Sequence, residues 1–209
     1  VRIVAYVDGF NLYHAIAELG EPSLKWLDLR GLCERFVPHS DPDSLKSVYY
    51  YSAFATWRHS AHKRHRQYVK ALEANGVTCV LARFKPKPLD CHRCGHQWTH
   101  HEEKETDVRL ALGLVMGAVK DEYDRALLVT ADSDLVPAVR LVRREHPKKD
   151  IRIVTPPGRD PCEALVMAAG GKRQGRCIGR DHLLKCLLPP EVVDPDGTVV
   201  ARRPSEYAP

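Results

Sequence analysis

The feature that most constrains this chain is a rhythm. Short β-branched, aromatic and aliphatic runs recur along it: RIVAYV (2–7), SVYYYSAF (47–54), VTCVLARF (77–84), ALLVT (126–130) and IRIVT (151–155). Runs of this length and apolarity suit strands buried on both faces. Between them lie helical patterns at about 11–19, 27–36, 59–74, 106–119, 135–145 and 161–169. Within 106–119, for example, Val108, Ala111, Leu112, Val115, Ala118 and Val119 recur at three- and four-residue steps. Strands that alternate with helices predict a mainly parallel sheet covered on both faces. A chain of 209 residues, 44 % hydrophobic and 28 % charged, has the composition of an ordinary globular protein and can bury a sizeable core. No run approaches the ~18 apolar residues of a membrane helix, so no membrane partner is expected. The start, VRIVAYVDGFN, lacks a signal-peptide pattern. With no secretory pattern, the seven cysteines are expected as thiols in the cytoplasm.

In an open parallel sheet, ligands bind at the carboxyl ends of the strands. The first strand ends in Asp8-Gly9-Phe10-Asn11, and the fourth in Thr130-Ala131-Asp132-Ser133-Asp134. The helix leading into the fourth strand opens at Glu105-Thr106-Asp107. Taken singly, Asp8, Asp107 and Asp132 or Asp134 are ordinary turn and cap residues. Brought to one sheet edge they form an acidic cluster, whose members raise one another's pKa unless a cation joins them. Carboxylates with retained water suit Mg²⁺ or Mn²⁺. Such ions activate water and stabilise the leaving oxygen of a phosphodiester. Asn11 fits as a neutral group that orients water or phosphate, and Gly9 would allow a tight turn beside the metal.

The segments YVDGFNLYH, HEEKETDVRLALGLV and ALLVTADSDLVPAV resemble the signature segments of the NYN domain, a branch of the PIN-like nuclease superfamily. The resemblance covers residues 1–180 or so. It implies a Rossmann-like (PIN-like) three-layer α/β/α sandwich and metal-dependent cleavage of RNA. By motif position, the acidic site is Asp8, Asp107, Asp132 and Asp134, with Asn11 beside it. Thr130 stands where that segment often has Ser and keeps the hydroxyl.

The remaining motifs are less specific. CHRCGHQWTHH (91–101) sits in a polar insert at 85–104 that reads as too irregular for core structure. Cys91 and Cys94 form a C-x-x-C pair, half of a zinc knuckle, and two of His96, His100 and His101 could complete a site. A free or reversibly oxidised dithiol is the other reading. Arg58, Lys63, Arg64, Arg66 and Lys70 make the third helix basic, with Trp57 and Tyr68 available for stacking. Arg140 and Arg143 do the same for the helix at 135–145. Either patch is a solvated face or an RNA contact. The net charge of +5 leaves both readings open.

These readings combine into an NYN domain over 1–186 and an extended tail over 187–209 that wraps the surface or moves. The function expected is a cytoplasmic, metal-dependent endoribonuclease acting on single-stranded or structured RNA. Its products should carry 5′-phosphate and 3′-hydroxyl ends. Two rivals share the residues: an RNA-binding module without turnover, and a phosphoesterase for a small phosphorylated substrate. A homodimer is a further open reading.

Overall fold

The computed structural model describes residues 1–38 and 44–208. The chain runs β1 (Arg2–Asp8), α1 (Gly9–Glu18), α2 (Leu29–Glu34), β2 (Ser44–Ala53), α3 (His59–Ala74), β3 (Val77–Asp90) and β4 (Gln97–Lys104). It continues through α4 (Thr106–Val119), β5 (Arg125–Val129), α5 (Val136–Glu145), β6 (Asp150–Thr155), α6 (Glu163–Ala169), β7 (Gly175–Cys177), α7 (Arg180–Leu184), β8 (Glu191–Val193) and β9 (Val199–Arg202). Among the described residues the main sheet has seven strands in the order β4-β3-β2-β1-β5-β6-β7. All neighbours are parallel except β3 and β4. The order runs outward from β1 on one side and from β5 on the other. The β1/β5 boundary is therefore the topological switch point, where the crevice of a doubly wound sheet opens.

Two apolar layers cover the sheet. Leu12 and Ile16 of α1, Leu29 and Leu32 of α2, and Val69 and Leu72 of α3 pack with Ile3, Ala5 and Val7 of β1. On the opposite face, Leu110 and Leu114 of α4, Val139 of α5 and Leu165 of α6 pack with Val4 and Tyr6. Alternate residues of β1 thus point into different layers, as a two-sided strand requires. The result is the α/β/α sandwich of a PIN-like fold. Glycine allows close approach to the β2 backbone at Gly9 and to a β2 side chain at Gly113. A Cβ on Gly9 would lie 2.5 Å from the Tyr51 carbonyl oxygen, and one on Gly113 would lie 2.1 Å from the Tyr51 hydroxyl. Gly9 is there for close approach to β2, not for a left-handed turn.

Three segments depart from the sequence expectation. The third strand continues to Asp90, and the polar insert is a regular antiparallel ribbon, with Phe84 opposite Glu103 and Asp90 opposite Gln97. This corrects the irregular segment expected there. A two-stranded arm wetted on both faces has no buried side to impose alternation. The second helix shrinks to Leu29–Glu34 because the Asp28 carboxylate caps it, accepting the Gly31 N–H at 2.9 Å. The tail is not simply extended. β8 and β9 pair as a hairpin, and Val192, Ala201 and Tyr207 are buried with Trp26, Ala71 and Leu188. The Trp26 indole N–H donates to the Pro189 carbonyl at 2.8 Å, which locks the tail to the body. Pro209, the last residue of the expected tail, lies outside the described residues. No described helix is long and apolar enough to cross a membrane.

Candidate metal centre

β1 ends at Asp8, which is buried and caps α1. Its Oδ1 accepts the Asn11 N–H at 2.9 Å. Its Oδ2 accepts the Thr130 hydroxyl at 3.0 Å. Asp132 caps a 3₁₀ turn, Ser133–Leu135, that precedes α5, and its Oδ1 accepts the Asp134 N–H at 2.9 Å. Asp107 lies in the first turn of α4. Each acid is therefore a local cap or first-turn residue, and the three also converge. Ligand oxygens of Asp8, Asp107 and Asp132 all lie within 4.8 Å of one another.

Capping and convergence reinforce each other. The cap bonds fix the Asp8 and Asp132 carboxylates in place before any ion arrives, and the helix N-termini favour acids at this sheet edge. The cluster is under electrostatic tension. Burial, with the Asp132 charge adding, raises the Asp8 carboxyl above the usual carboxylate range, against the bonds from Asn11 and Thr130. Burial and then the charges of Asp8 and Asp132 push Asp107 up to about 6, with Glu103 and Asp134 contributing. Two lining cations of the cleft pair with lining carboxylates other than the three acids: Arg159 donates to Glu18 at 2.6 Å, and Lys104 pairs with Glu102 at 2.8 Å. A hard divalent cation fits this donor set, since it relieves the repulsion and takes oxygen ligands.

Asp134 is exposed and outside the cluster, reaching it through its backbone N–H. Asn11 braces the site. Its Oδ1 accepts the Ala131 N–H at 3.0 Å, tying α1 to the loop after β5. The hydroxyl of Thr130 also accepts the Asp132 N–H at 3.0 Å. The root of α4 is held by Glu103, whose carboxylate accepts the N–H and the hydroxyl of Thr106, and by Glu105, which pairs with Arg83 and Arg109 at φ +80°. A left-handed glutamate next to the turn that carries Asp107 is the kind of backbone strain that collects at functional sites.

Cys91 and Cys94 sit at the tip of the β3–β4 arm. Its turn is closed by the Cys91 N–H on the His96 carbonyl and the Gly95 N–H on the Cys91 carbonyl, both at 2.8 Å. Backbone N–H groups of Arg93 and Cys94 lower the Cys91 thiol pKa. His100 and His101 lie further down β4, opposite Lys87 and Pro86. Among the described residues, only Asp8, Asp107 and Asp132 group as three ligands for one ion. A closed zinc site at the cysteines would need two further ligands.

The basic residues divide between the two faces of the sheet. Arg58, Lys63, Arg66 and Lys70 are exposed in or before α3, while Arg64 pairs with Glu206 at 2.9 Å. On the opposite face Arg140 is exposed, and Arg143 donates to the Lys149 carbonyl at 2.9 Å. The patches do not form one surface. Tyr68 is no surface stacker either, since its hydroxyl donates to the Leu27 carbonyl and its ring lies against Trp26 and Tyr50.

The acids open into a cleft of about 790 Å³. Beside it lies a cavity of about 310 Å³ between α1, α3 and β2, and Phe10, His14, Phe84 and His101 line both. Sequence reading missed this cavity because its walls come from segments far apart in the chain. The family model of the NYN domain matches residues 2–169. The chain belongs to the NYN domain family. The NYN match spans the strands that carry Asp8 and Asp132 and the helix that carries Asp107. NYN domains form a PIN-like nuclease family, and an acidic cluster is present here. The chain is 26 % identical over 227 residues to 6-hydroxy-3-succinoylpyridine 3-monooxygenase HspA of Pseudomonas putida, covering 90 % of this chain and 70 % of that protein. A crystal structure of a protein of unknown function from Vibrio parahaemolyticus is similar in fold, with a TM-score of 0.56 at 20 % identity, over 90 % of this chain and 96 % of that one.

Proposed function

We propose that this NYN domain is a cytoplasmic, metal-dependent endoribonuclease. The observation that carries the reading is the convergence of Asp8, Asp107 and Asp132 at the switch point of the sheet. These residues would hold Mg²⁺ or Mn²⁺, with Asp134 reaching the ion through water. When bound, a divalent ion lowers the pKa of water and neutralises charge on a phosphodiester. The chain's own residues do the rest. Asn11 and Thr130 hold the ligand loops, and exposed Arg58, which lines the adjoining cavity, offers a phosphate contact.

The test is cleavage of end-labelled single-stranded RNA with Mn²⁺ or with EDTA, wild type beside Asp132→Asn. Metal-dependent cutting that leaves 5′-phosphate ends, and that Asp132→Asn loses, is the expected result. Cutting that persists in EDTA or leaves 2′,3′-cyclic phosphate would sink the reading. The aromatic cavity favours a second reading, a small ring substrate in place of RNA, as the relative's name describes for that protein. Turnover of a hydroxypyridine acid with no RNA cleavage would select it.

A further inference from the structure

The cavity beside the acidic cleft is unused by the reading above. Its floor is Tyr50, Ser52 and Ala53 of β2. One wall is α1 from Gly9 to Ile16, and the other is Ala61, Arg64, His65 and Tyr68 of α3. Aromatic rings close it toward the cleft. Phe84 meets Phe10 edge-on at 5.7 Å and Trp57 at 4.7 Å, and Trp57 stacks on His101 at 3.7 Å with the planes 7° apart. Ligand cavities range from about 300 to 1,000 Å³, so about 310 Å³ is room for one ring system and not for a chain of nucleotides.

A cluster of uncharged polar groups lines the cavity where α3 faces β2. His65 Nε2 lies 3.4 Å from the Tyr50 hydroxyl and 3.5 Å from Ser52 Oγ. Burial, with His62 adding, lowers His65 to about 4, so at neutral pH its ring is uncharged and offers one donor and one acceptor. A neutral polar edge in an aromatic slot matches the edge and faces of a planar heterocycle. Of the cationic lining residues, Lys25 lies over the Tyr13 ring and Arg64 is paired with Glu206, while exposed Arg58 is placed to meet a phosphate. The wall shared with the metal cleft ties ring and phosphate into one ligand.

We propose that this cavity receives one nucleobase of the bound strand, next to the phosphodiester lying over Asp8, Asp107 and Asp132. The proposal rests on the nuclease reading and adds a subsite to it. Base-on-aromatic stacking needs no particular base, so the subsite gives affinity and position with weak sequence choice.

The experiment uses the full chain carrying Asp132→Asn and measures binding of RNA with one abasic residue walked through its sequence. At a single position the abasic residue should weaken binding roughly 5- to 150-fold, the range expected for one stacked base. Ala61→Trp, which fills the slot, should erase that difference, and His65→Leu should reduce it. The nucleotide 2-aminopurine riboside 5′-monophosphate should bind with fluorescence quenching, and Ala61→Trp should abolish this. Indifference to the abasic walk at every position, or quenching that survives Ala61→Trp, would overturn the proposal. So would binding of a hydroxypyridine acid in the slot with no binding of the nucleotide. The two readings fail separately. Base binding without metal-dependent cleavage removes the nuclease and keeps the subsite, and cleavage indifferent to the slot removes the subsite alone.

Discussion

The Thr130 hydroxyl donates to Oδ2 of Asp8 at 3.0 Å, which makes it the physical link between the ends of β1 and β5. The Thr130 hydroxyl oxygen itself accepts the Asp132 N–H, so one side chain sets the distance between two candidate metal ligands. Thr130→Val keeps the shape and removes the link. Loss of such a supporting bond typically weakens a metal site about 10- to 100-fold. Titration of the metal-free protein with Mn²⁺ should show a loss of that size for Thr130→Val and little change for Thr130→Ser.

The raised carboxyls make a signed prediction about pH. Asp8 and Asp107 bind protons more tightly in the folded chain than in the unfolded one. Their contribution to stability is therefore fully present below the unfolded carboxylate pKa near 3.8, and it is lost as pH rises through about 6 for Asp107. In EDTA the melting temperature should fall across that window from this source, and Asp107→Asn should flatten the fall. Each kcal/mol recovered corresponds to about 2–4 °C in a chain of this size. Mn²⁺ should reverse the effect above pH 6, and its affinity should climb up to that pH and level off. A melting profile with EDTA that is identical in Asp107→Asn would contradict the assignment.

Gly9→Ala should be costly although glycine at that position needs no special dihedral. The new methyl would meet the Tyr51 carbonyl and the Tyr50 ring, and the carbonyl cannot swing aside. Overpacking of this kind costs about 1–3 kcal/mol. Urea denaturation measures it, and an unchanged midpoint would show that α1 can back away from β2.

Charge reversal should separate the two basic faces. Arg58→Glu and Lys63→Glu lie on the α3 side, while Arg140→Glu lies across the sheet. Binding to the Asp132→Asn protein, measured against salt, should weaken for the α3 variants, and the log–log slope should fall by about 1 for each lost phosphate contact. Arg140→Glu should leave the slope unchanged. If it lowers the slope instead, RNA wraps the other face.

An apolar stripe on α4 bears on assembly. Val108, Leu112, Met116 and Val119 follow one another along the helix at three- and four-residue steps and are all exposed. If two chains pair through this stripe, Leu112→Glu should convert a dimer to a monomer in light scattering. A wild-type mass of one chain would exclude the pairing.

Much of this molecule is legible in its sequence, for reasons that single residues show. Val4, Tyr6 and Val129 sit in strands buried on both faces, so their apolar runs are continuous and the strand–helix rhythm is plain. Asp8 and Asp132 follow such runs directly, and a parallel sheet puts those ends on one edge. The arm was hidden because Lys85, Pro86, Lys87 and Pro88 are all exposed, and neither face needs apolar side chains. Proline is tolerated there because, among the described residues, this segment of β3 pairs on one edge only. The cavity was hidden because Tyr50, His65 and Phe84 meet only in space. Tyr207 reaches its burial from beyond a hairpin too short to announce itself.

The arm also sets a rule for length variation. β4 ends at Lys104, two residues before the α4 position Thr106, and Asp107 follows at once. Residues removed in facing pairs from the tip, one from each strand, would shorten the ribbon and leave Phe84 opposite Glu103 and the route to Asp107 intact. Removing a single residue from β4 between Gln97 and Glu103 would turn every later side chain to the opposite face before the helix begins. Relatives and engineered forms should therefore carry arms of many lengths that differ in even steps, with the cysteine tip as the natural place to graft or delete.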